Sequence, residues 1–396
     1  MTATTRRPRT PLTPGIDRVL MLAVLGLLVL GTLLVWSATA HRDDLTDGDP
    51  TAYVRKQLVN VCIGLVLLVV VMATDHRWVR IVAPLVYVAS IGGLVLVLAS
   101  GTTINGSRSW IDVAGMSIQP SEFAKLTVVI GMALLVAERI EGRRARVGAV
   151  EVVGMLLIAG VPSALIIMQP DLGTLLVLSA TVFGVLAIAG TPRRWLGALL
   201  AGGVTGAVTA FVGHLLKPYQ VDRFLAFTNP DLDPRGAGYN TEQARIAVGN
   251  GGLFGQGLFH GSQTRAGFVP EQHTDFIFTV AGEELGLLGA GVLIALLGLV
   301  IWRALVISSL AKDVFGRLAA AGIACWFGFQ AFQNIGMCLG IMPVTGVPLP
   351  FVSYGGSSMF AGMLAIGLLQ NIHLRATASL PTRYVRPVRR SSLVSR

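Results

Sequence analysis

The chain has 396 residues, of which 53% are apolar and only 13% are charged, and its mean hydropathy is +0.69. Soluble domains carry about 25% charged residues, so this composition excludes a water-soluble globular enzyme and points to an all-α polytopic membrane protein. The net charge of +10 would suit a nucleic-acid binder, but in so apolar a chain it is better explained by topology, and no nucleic-acid partner is expected.

Residues 1–15 are basic and rich in Pro and Thr, and read as a disordered cytoplasmic tail. A membrane domain follows over 16–375, and a basic cytoplasmic tail over 376–396. The first apolar run, 16–40, ends in Ala38-Thr39-Ala40, which looks like a signal-peptidase site; the run is too long for a signal-peptide core and reads as an uncleaved helix. Further spans are predicted near 57–74, 79–99, 120–138, 151–168, 172–190, 195–216, 276–302, 315–337 and 351–372, about ten in all. With the N-terminus in the cytoplasm, the inside segments hold 21 of the 31 Lys and Arg but 6 of the 21 Asp and Glu. That bias places both termini inside a cytoplasmic membrane. Three loops then face outside: 100–119, a large one of about 217–275 between spans seven and eight, and the uncharged 338–357. Cys62, Cys325 and Cys338 are scattered, with neither disulfide nor metal spacing.

The outer loops hold the polar motifs. Arg108-Ser109-Trp110 precedes Gln119-Pro120-Ser121-Glu122-Phe123-Ala124-Lys125. Pro120 suits a first helical position, and Glu122 and Lys125, at i and i+3, can pair on one helix face. This reads either as a helix start with an interfacial Trp or as an ion pair facing a polar cavity. In Gln169-Pro170-Asp171-Leu172-Gly173-Thr174 the proline ends one helix and Asp171 can cap the next. The large loop predicts turns at Asp231, Asp233, Pro234, Gly236 and Gly238, a short helix over 240–248, and glycine runs at 249–252 and 255–257 that would let backbone approach a ligand. Its Arg223, Arg235, Arg245 and Arg265 would suit a pyrophosphate. In the uncharged loop, Pro343, Pro348 and Pro350 precede Ser353-Tyr354-Gly355-Gly356; such rigid backbone either lines a cavity or packs as a re-entrant corner.

The chain is organised around Pro270–Gly289, PEQHTDFIFTVAGEELGLLG. Glu271, His273, Thr274 and Asp275 stand at the mouth of the eighth span, and Glu283 and Glu284 lie about 10 Å deeper at about 1.5 Å per residue. Carboxylates at that depth point to function. Asp275 itself reads either as a helix cap shared with Thr274 or as a catalytic acid or base. Neither a Ser-His-Asp arrangement nor HExxH nor a cysteine nucleophile is present.

Those stretches, with GAGYN and MPVTGVPLPFVSYGGSS, resemble the SEDS family, the RodA, FtsW and SpoVE proteins of bacterial wall synthesis. The likeness runs from the first span to the last, and HGSQ and NIGMCLGIMPVTG lie closer to RodA than to FtsW. The resemblance implies a peptidoglycan glycosyltransferase that polymerises lipid II on the outer face of the membrane during cell elongation. It would release polyprenyl diphosphate and work with a class B penicillin-binding protein and other elongation-machinery membrane proteins. It puts the family's catalytic aspartate on Asp275, its loop tryptophan on Trp110, and its membrane pair on Glu122 and Lys125. Arg108, Arg223, Arg245, His273, Glu283 and Ser353 complete the candidates for binding substrate or supporting the site. A divalent cation, Mg or Mn, would be shared with the diphosphate, because the sequence has no dedicated metal cage. A lipid II flippase, an FtsW-like division polymerase and a scaffold are the other readings. Crowding of the polar motifs on the outer half favours surface chemistry.

Overall fold

The computed structural model describes residues 15–74, 76–104, 107–113, 116–140, 147–213, 220–221, 223, 227 and 236–378. Of the terminal tails, residues 1–14 and 379–396 lie outside the described residues, as do Arg143, Arg144, Arg146, Asp231, Asp233, Pro234 and Arg235.

The chain runs through α1 (Arg18–Thr39), the single turn α2 (Asp43–Thr46), α3 (Ala52–Ala73) and α4 (His76–Ser100). The predicted loop 100–119 contains three strands, β1 (Thr102–Ile104), β2 (Ser107–Val113) and β3 (Met116–Ile118), paired antiparallel in that order. Then come α5 (Pro120–Ile140), α6 (Ala149–Met168), α7 (Leu172–Ile188) and α8 (Arg193–Val212). The outer loop holds α9 (Ala237–Asn250), longer at both ends than the sequence suggested, and α10 (Ser262–Ala266). The bundle closes with α11 (Ile277–Leu310), α12 (Val314–Cys338) and α13 (Gly356–Ala378).

Eight of these helices are long and apolar enough to cross a membrane: α1, α3, α4, α6, α8, α11, α12 and α13. The two other predicted spans are the 17-residue α7 and α5, which carries Glu122, Lys125, Glu138 and Arg139. Local chemistry sets the ends. Asp17 Oδ1 accepts from Leu20 N at 3.1 Å, Asp171 Oδ1 from Thr174 N at 3.0 Å and Asp313 Oδ1 from Gly316 N at 3.1 Å, each filling a free first-turn donor. Pro120 occupies the first position of α5, where its missing N–H costs nothing.

The core lies where α5, α12 and α13 meet, and the buried faces of α12 and α13 carry the amides Gln330, Gln333, Asn334, Gln370 and Asn371. At the end read as cytoplasmic, Arg303 Nε donates to Asp17 Oδ2 at 2.8 Å, and Asp17 and Gln370 exchange two hydrogen bonds of 2.9 and 3.0 Å. Arg80 and Asp313 pair at 2.8 Å nearby. By contrast, α8 buries none of its residues.

The glycine runs do something the sequence did not show. Residue Gly286 has φ 66° and ψ −169°, so α11 is broken there. Segment 252–257 splices into the break: Gln256 N and Gly257 N donate to the carbonyls of Glu283 and Glu284 at 3.0 Å each. Gly252 O and Leu253 O accept from Leu287 N and Leu288 N at 2.9 and 3.2 Å. Unpaired backbone at membrane depth is costly, and the loop supplies the partners the helix lacks. A Cβ at Gly251 would collide with Gly282 O, and one at Gly255 with Glu284 O. These glycines therefore let backbone approach backbone rather than a ligand, which corrects the sequence reading.

Gly255 combines φ +79° with that collision, whereas Gly249 opens onto free space. Gly255→Ala should lower the detergent-phase unfolding midpoint by several degrees, and Gly249→Ala should leave it at or slightly above the parent's. Equal midpoints for the two variants would refute the splice.

Candidate active site

Asp275 lies just before α11. The helix N-cap position is Phe276 and has no side-chain cap, so the Asp275 carboxylate is not spent on capping. The chain turns at Glu271, whose φ is 48° and whose carbonyl accepts from Thr274 N at 3.2 Å, Asp275 N at 3.0 Å and Phe276 N at 3.3 Å. On the other side, the Asp275 carbonyl accepts from Asn334 Nδ2 at 2.7 Å. The half-buried carboxylate faces Gly346, where a Cβ would stand 3.1 Å from Oδ2. Burial pushes the Asp275 carboxyl up to about 7, the nearby charges of Glu271 and Asp171 push the same way, and Arg223 opposes them.

A cleft opens beside it. Pro170, Leu172 and Leu176 of the α6–α7 turn and α7 form one wall, Pro343, Val344 and Thr345 another, and Gln220 and Arg223 the third. Arg223 is thus a cation on the wall of a cleft, with an acid of raised pKa close by. Among the described residues, no group of three or more His, Cys, Asp or Glu side chains could hold a metal ion. The donor set does not fit a dedicated cation site.

The 339–355 segment is held from α12 by three amides on one face. Gln330 Nε2 donates to Pro348 O at 2.9 Å, Gln333 Nε2 to Thr345 Oγ1 at 2.6 Å, and Asn334 Nδ2 to Val347 O at 2.7 Å. Gln330 also reaches the predicted ion pair. Lys125 Nζ lies 2.8 Å from Glu122 Oε1 and 2.7 Å from Gln330 Oε1, which also accepts from Trp326 Nε1 at 2.7 Å. Lys125 Nζ sits 5.2 Å from the Trp326 ring centroid. The pair is buried in the bundle core and does not face an open cavity, because the α12 face carrying Trp326 and Gln330 closes over it.

The other predicted residues divide. His273 is buried in a ring cluster 4.9 Å from Tyr53 and 5.7 Å from Tyr354; burial lowers its pKa first, with Glu271 raising it and Arg42 lowering it. Glu283 is fully buried and takes up the α10 start: Oε1 accepts from Ser262 Oγ and Gln263 N at 3.2 and 2.7 Å, Oε2 from Thr264 N and Oγ1 at 3.0 and 2.7 Å. It supports the outer loop and is turned away from the cleft. Ser353 Oγ accepts from Leu349 N at 2.8 Å, closing a turn of the uncharged loop. Arg108 donates to Gly101 O and Ala99 O at 2.8 and 3.0 Å, so it ties off the end of α4. Trp110 is half-buried on β2. Arg245 is exposed on α9, with its stem 3.0 Å from where a Gly340 Cβ would stand.

Gln330, Gln333 and Asn334 escaped the sequence reading. Three amides at i, i+3 and i+4 on a predicted membrane span were the available signal, because polar side chains at that depth need partners.

Comparisons with known proteins bear on the family and the overall fold. Residues 18–378 match the FtsW, RodA and SpoVE family model, described as a cell cycle protein. Over 363 residues the chain is 38% identical to the peptidoglycan glycosyltransferase MrdB of Escherichia coli K12, covering 90% of this chain and 93% of that one. It superposes with a TM-score of 0.75 and 31% identity on a chain from a peptidoglycan synthase complex that coordinates polymerization and crosslinking, covering 91% and 98% of the two chains. The rod shape determining protein RodA of Thermus thermophilus gives a TM-score of 0.66 at 29% identity, covering 91% and 97%.

Removing one partner of a buried pair typically costs about 3–5 kcal/mol. Glu122→Gln and Lys125→Met should each cost stability in that range, and the double variant should cost less than their sum. A double-mutant cycle on detergent-phase unfolding measures the coupling; simple additivity would mean that the 2.8 Å contact contributes nothing.

Proposed function

The chain belongs to the SEDS family of FtsW, RodA and SpoVE proteins, and from that premise we propose that it polymerises lipid II at the outer face of the membrane with Asp275 as general base. It is a multi-pass membrane protein and a peptidoglycan glycosyltransferase. The observation that carries the finer reading is a half-buried carboxyl raised to about 7 beside a cleft whose wall holds Arg223.

In the reaction, an acceptor sugar hydroxyl attacks the donor's anomeric carbon. A new C–O bond forms, the bond from that carbon to the diphosphate oxygen breaks, and the hydroxyl proton must leave. Asp275, ionised, takes that proton; with its pKa near 7 it is basic enough to accept a proton and still ionised in good part at neutral pH. Arg223 stands where a cation would offset charge on the departing diphosphate. Arg245, exposed on α9 with its stem beside Gly340, is a second cation proposed to meet the substrate's phosphates from the outer face. A divalent cation, if one takes part, would rest on the substrate's own oxygens, since the described residues offer no cage.

Trp110, on the outer sheet, is proposed to bound the substrate path. Glu122, Lys125, His273, Glu283 and Ser353 support the site from behind. The crosslinking partner is proposed to be a class B penicillin-binding protein, joined by other membrane proteins of cell elongation. The RodA-like role is preferred over the division role on the HGSQ and NIGMCLGIMPVTG stretches. A flippase is less well supported, because the buried charges described beyond the cleft are engaged within the protein: Lys125 with Glu122 and Arg303 with Asp17 as ion pairs, and Glu283 and Glu284 by hydrogen bonds from Thr264 and Ser37.

Asp275→Asn should reduce lipid II polymerisation by about 100- to 10,000-fold, the range of general-base contributions, in a protein that still inserts and folds. Wild-type rate should rise with pH through about 7. Stability runs the opposite way. A carboxyl raised by burial costs nothing below its unfolded value of 3.8; the fold then loses stability progressively as pH rises from there to about 7, and the loss is complete above that. The asparagine variant should therefore melt higher than wild type at pH 8 and equal to it near pH 4. Near-normal synthesis by the variant would remove Asp275 as base.

The charge bias also fixes the side. In a background lacking Cys62, Cys325 and Cys338, a cysteine replacing the exposed Arg265 (R265C) should react with an impermeant maleimide added to intact cells. Labelling only after the inner face is opened would reverse the orientation.

A further inference from the structure

Asp275 sits where three pieces of chain meet: the 270–276 turn, the uncharged loop and the outer end of α12. One side chain touches all three. Asn334 on α12 is fully buried, and its Nδ2 donates one hydrogen to Asp275 O and the other to Val347 O, both at 2.7 Å. The amide orientation follows from those partners, because the flipped form would set Oδ1 against two carbonyl oxygens. Gly346, with φ +68°, directly precedes Val347, and its open face lies 3.1 Å, measured from a virtual Cβ, from Asp275 Oδ2. The same amide therefore fixes both the backbone that carries the carboxylate and the backbone that covers it.

We propose that Asn334 is a positioning residue for the glycosyl-transfer reaction, setting the gap between the Asp275 carboxylate and the main chain at Gly346. This rests on Asp275 being the base. Gln333 and Gln330 hold the loop on either side, at Thr345 and Pro348, but neither donates to the 270–276 turn; Asn334 alone among the three amides bridges the two walls. A general base must meet its proton within hydrogen-bond reach, and a displacement of about 1 Å can cost about 100-fold in rate. Asn334 touches no reacting atom. It acts through Asp275 O and Val347 O.

The arrangement makes two variants separable. Asn334→Ala removes both donors, lets the loop at Gly346 lift, and admits water to the carboxylate. Asn334→Asp keeps the shape and, once ionised, removes both donors and adds a negative charge beside a carboxylate already facing Glu271, Asp171, Arg223 and the Cys338 thiol. The first change eases ionisation of Asp275 and the second opposes it.

The test uses the full chain in lipid vesicles, with fluorescent lipid II as substrate and rates taken at saturating donor across pH. Asn334→Ala should polymerise about 100-fold more slowly than wild type, with its pH–rate midpoint moved down. Asn334→Asp should be slowed as well, with its midpoint moved up. General loosening of the fold would lower the thermal midpoint together with the rate, whereas lost positioning lowers the rate in a variant whose thermal midpoint stays near wild type. Should the alanine variant fail to fold, the aspartate variant, matched in size, carries the test by its upward shift. Wild-type rate and midpoint in the folded variants, with Asp275→Asn inactive, would overturn the positioning role and leave the base in place. Polymerisation by Asp275→Asn at the wild-type rate would overturn the base, and this role with it.

Discussion

Every polar group that this chain takes below the membrane surface has to find its partner inside the chain, and the architecture depends on how that is met. Hydrocarbon offers no hydrogen bonds, so an orphan amide or charge there is far more costly than in a soluble core. The response is to spend side-chain amides as connectors. On α12, Gln330, Gln333 and Asn334 each bond an element outside their own helix. On α13, Gln370 exchanges two bonds with Asp17, and Asn371 Nδ2 donates to the carbonyls of Val71 and Thr74 at 3.0 and 2.6 Å. The two most buried helices are thus also the ones that carry the polar joints.

That arrangement explains how an uncharged, proline-rich segment can sit at depth without regular structure. Its carbonyls at Val347 and Pro348 are taken by α12, and its own Ser353 closes the turn at Leu349. Rigid cover over Asp275 follows directly. The cover strips water from the carboxyl and raises its pKa, which destabilises the ionised fold and suits the group to the general-base role proposed for it. Stability given up at one residue is a familiar cost of a working site.

Much of this was legible in the sequence, for reasons that differ by element. Apolar length and the Lys and Arg bias gave the spans, because bilayer thickness and topology act on composition directly. Asp171 as a cap and Glu122 with Lys125 as a pair were readable because both depend on neighbours within four residues. Asp275 stood out as an acid at a helix mouth, and the family resemblance sharpened it. What stayed hidden depends on contacts between distant segments. The glycines at 251 and 255 look alike for binding a ligand and for meeting a broken helix; only the conformation of Gly286 decides. Arg108 and Ser353 looked available, yet each is taken by carbonyls or a backbone N–H that sequence cannot place. The β-strands at 102–118 are too short and too rich in turn residues to carry a periodic signal.

The interruption at Gly286 has a mechanical meaning. Without it, α11 would be a single rod of 34 residues, about 50 Å at about 1.5 Å per residue, joining the Arg303 anchor to the Asp275 turn. Such a rod is a lever, and a small tilt at the inner end would swing the outer end by ångströms. Divided at Gly286, the outer stub belongs to the external loop that is laced into it, and the inner shaft belongs to the bundle. A break at that point shortens the lever: the turn that carries Asp275 is braced by the outer loop instead of by the full length of the inner shaft.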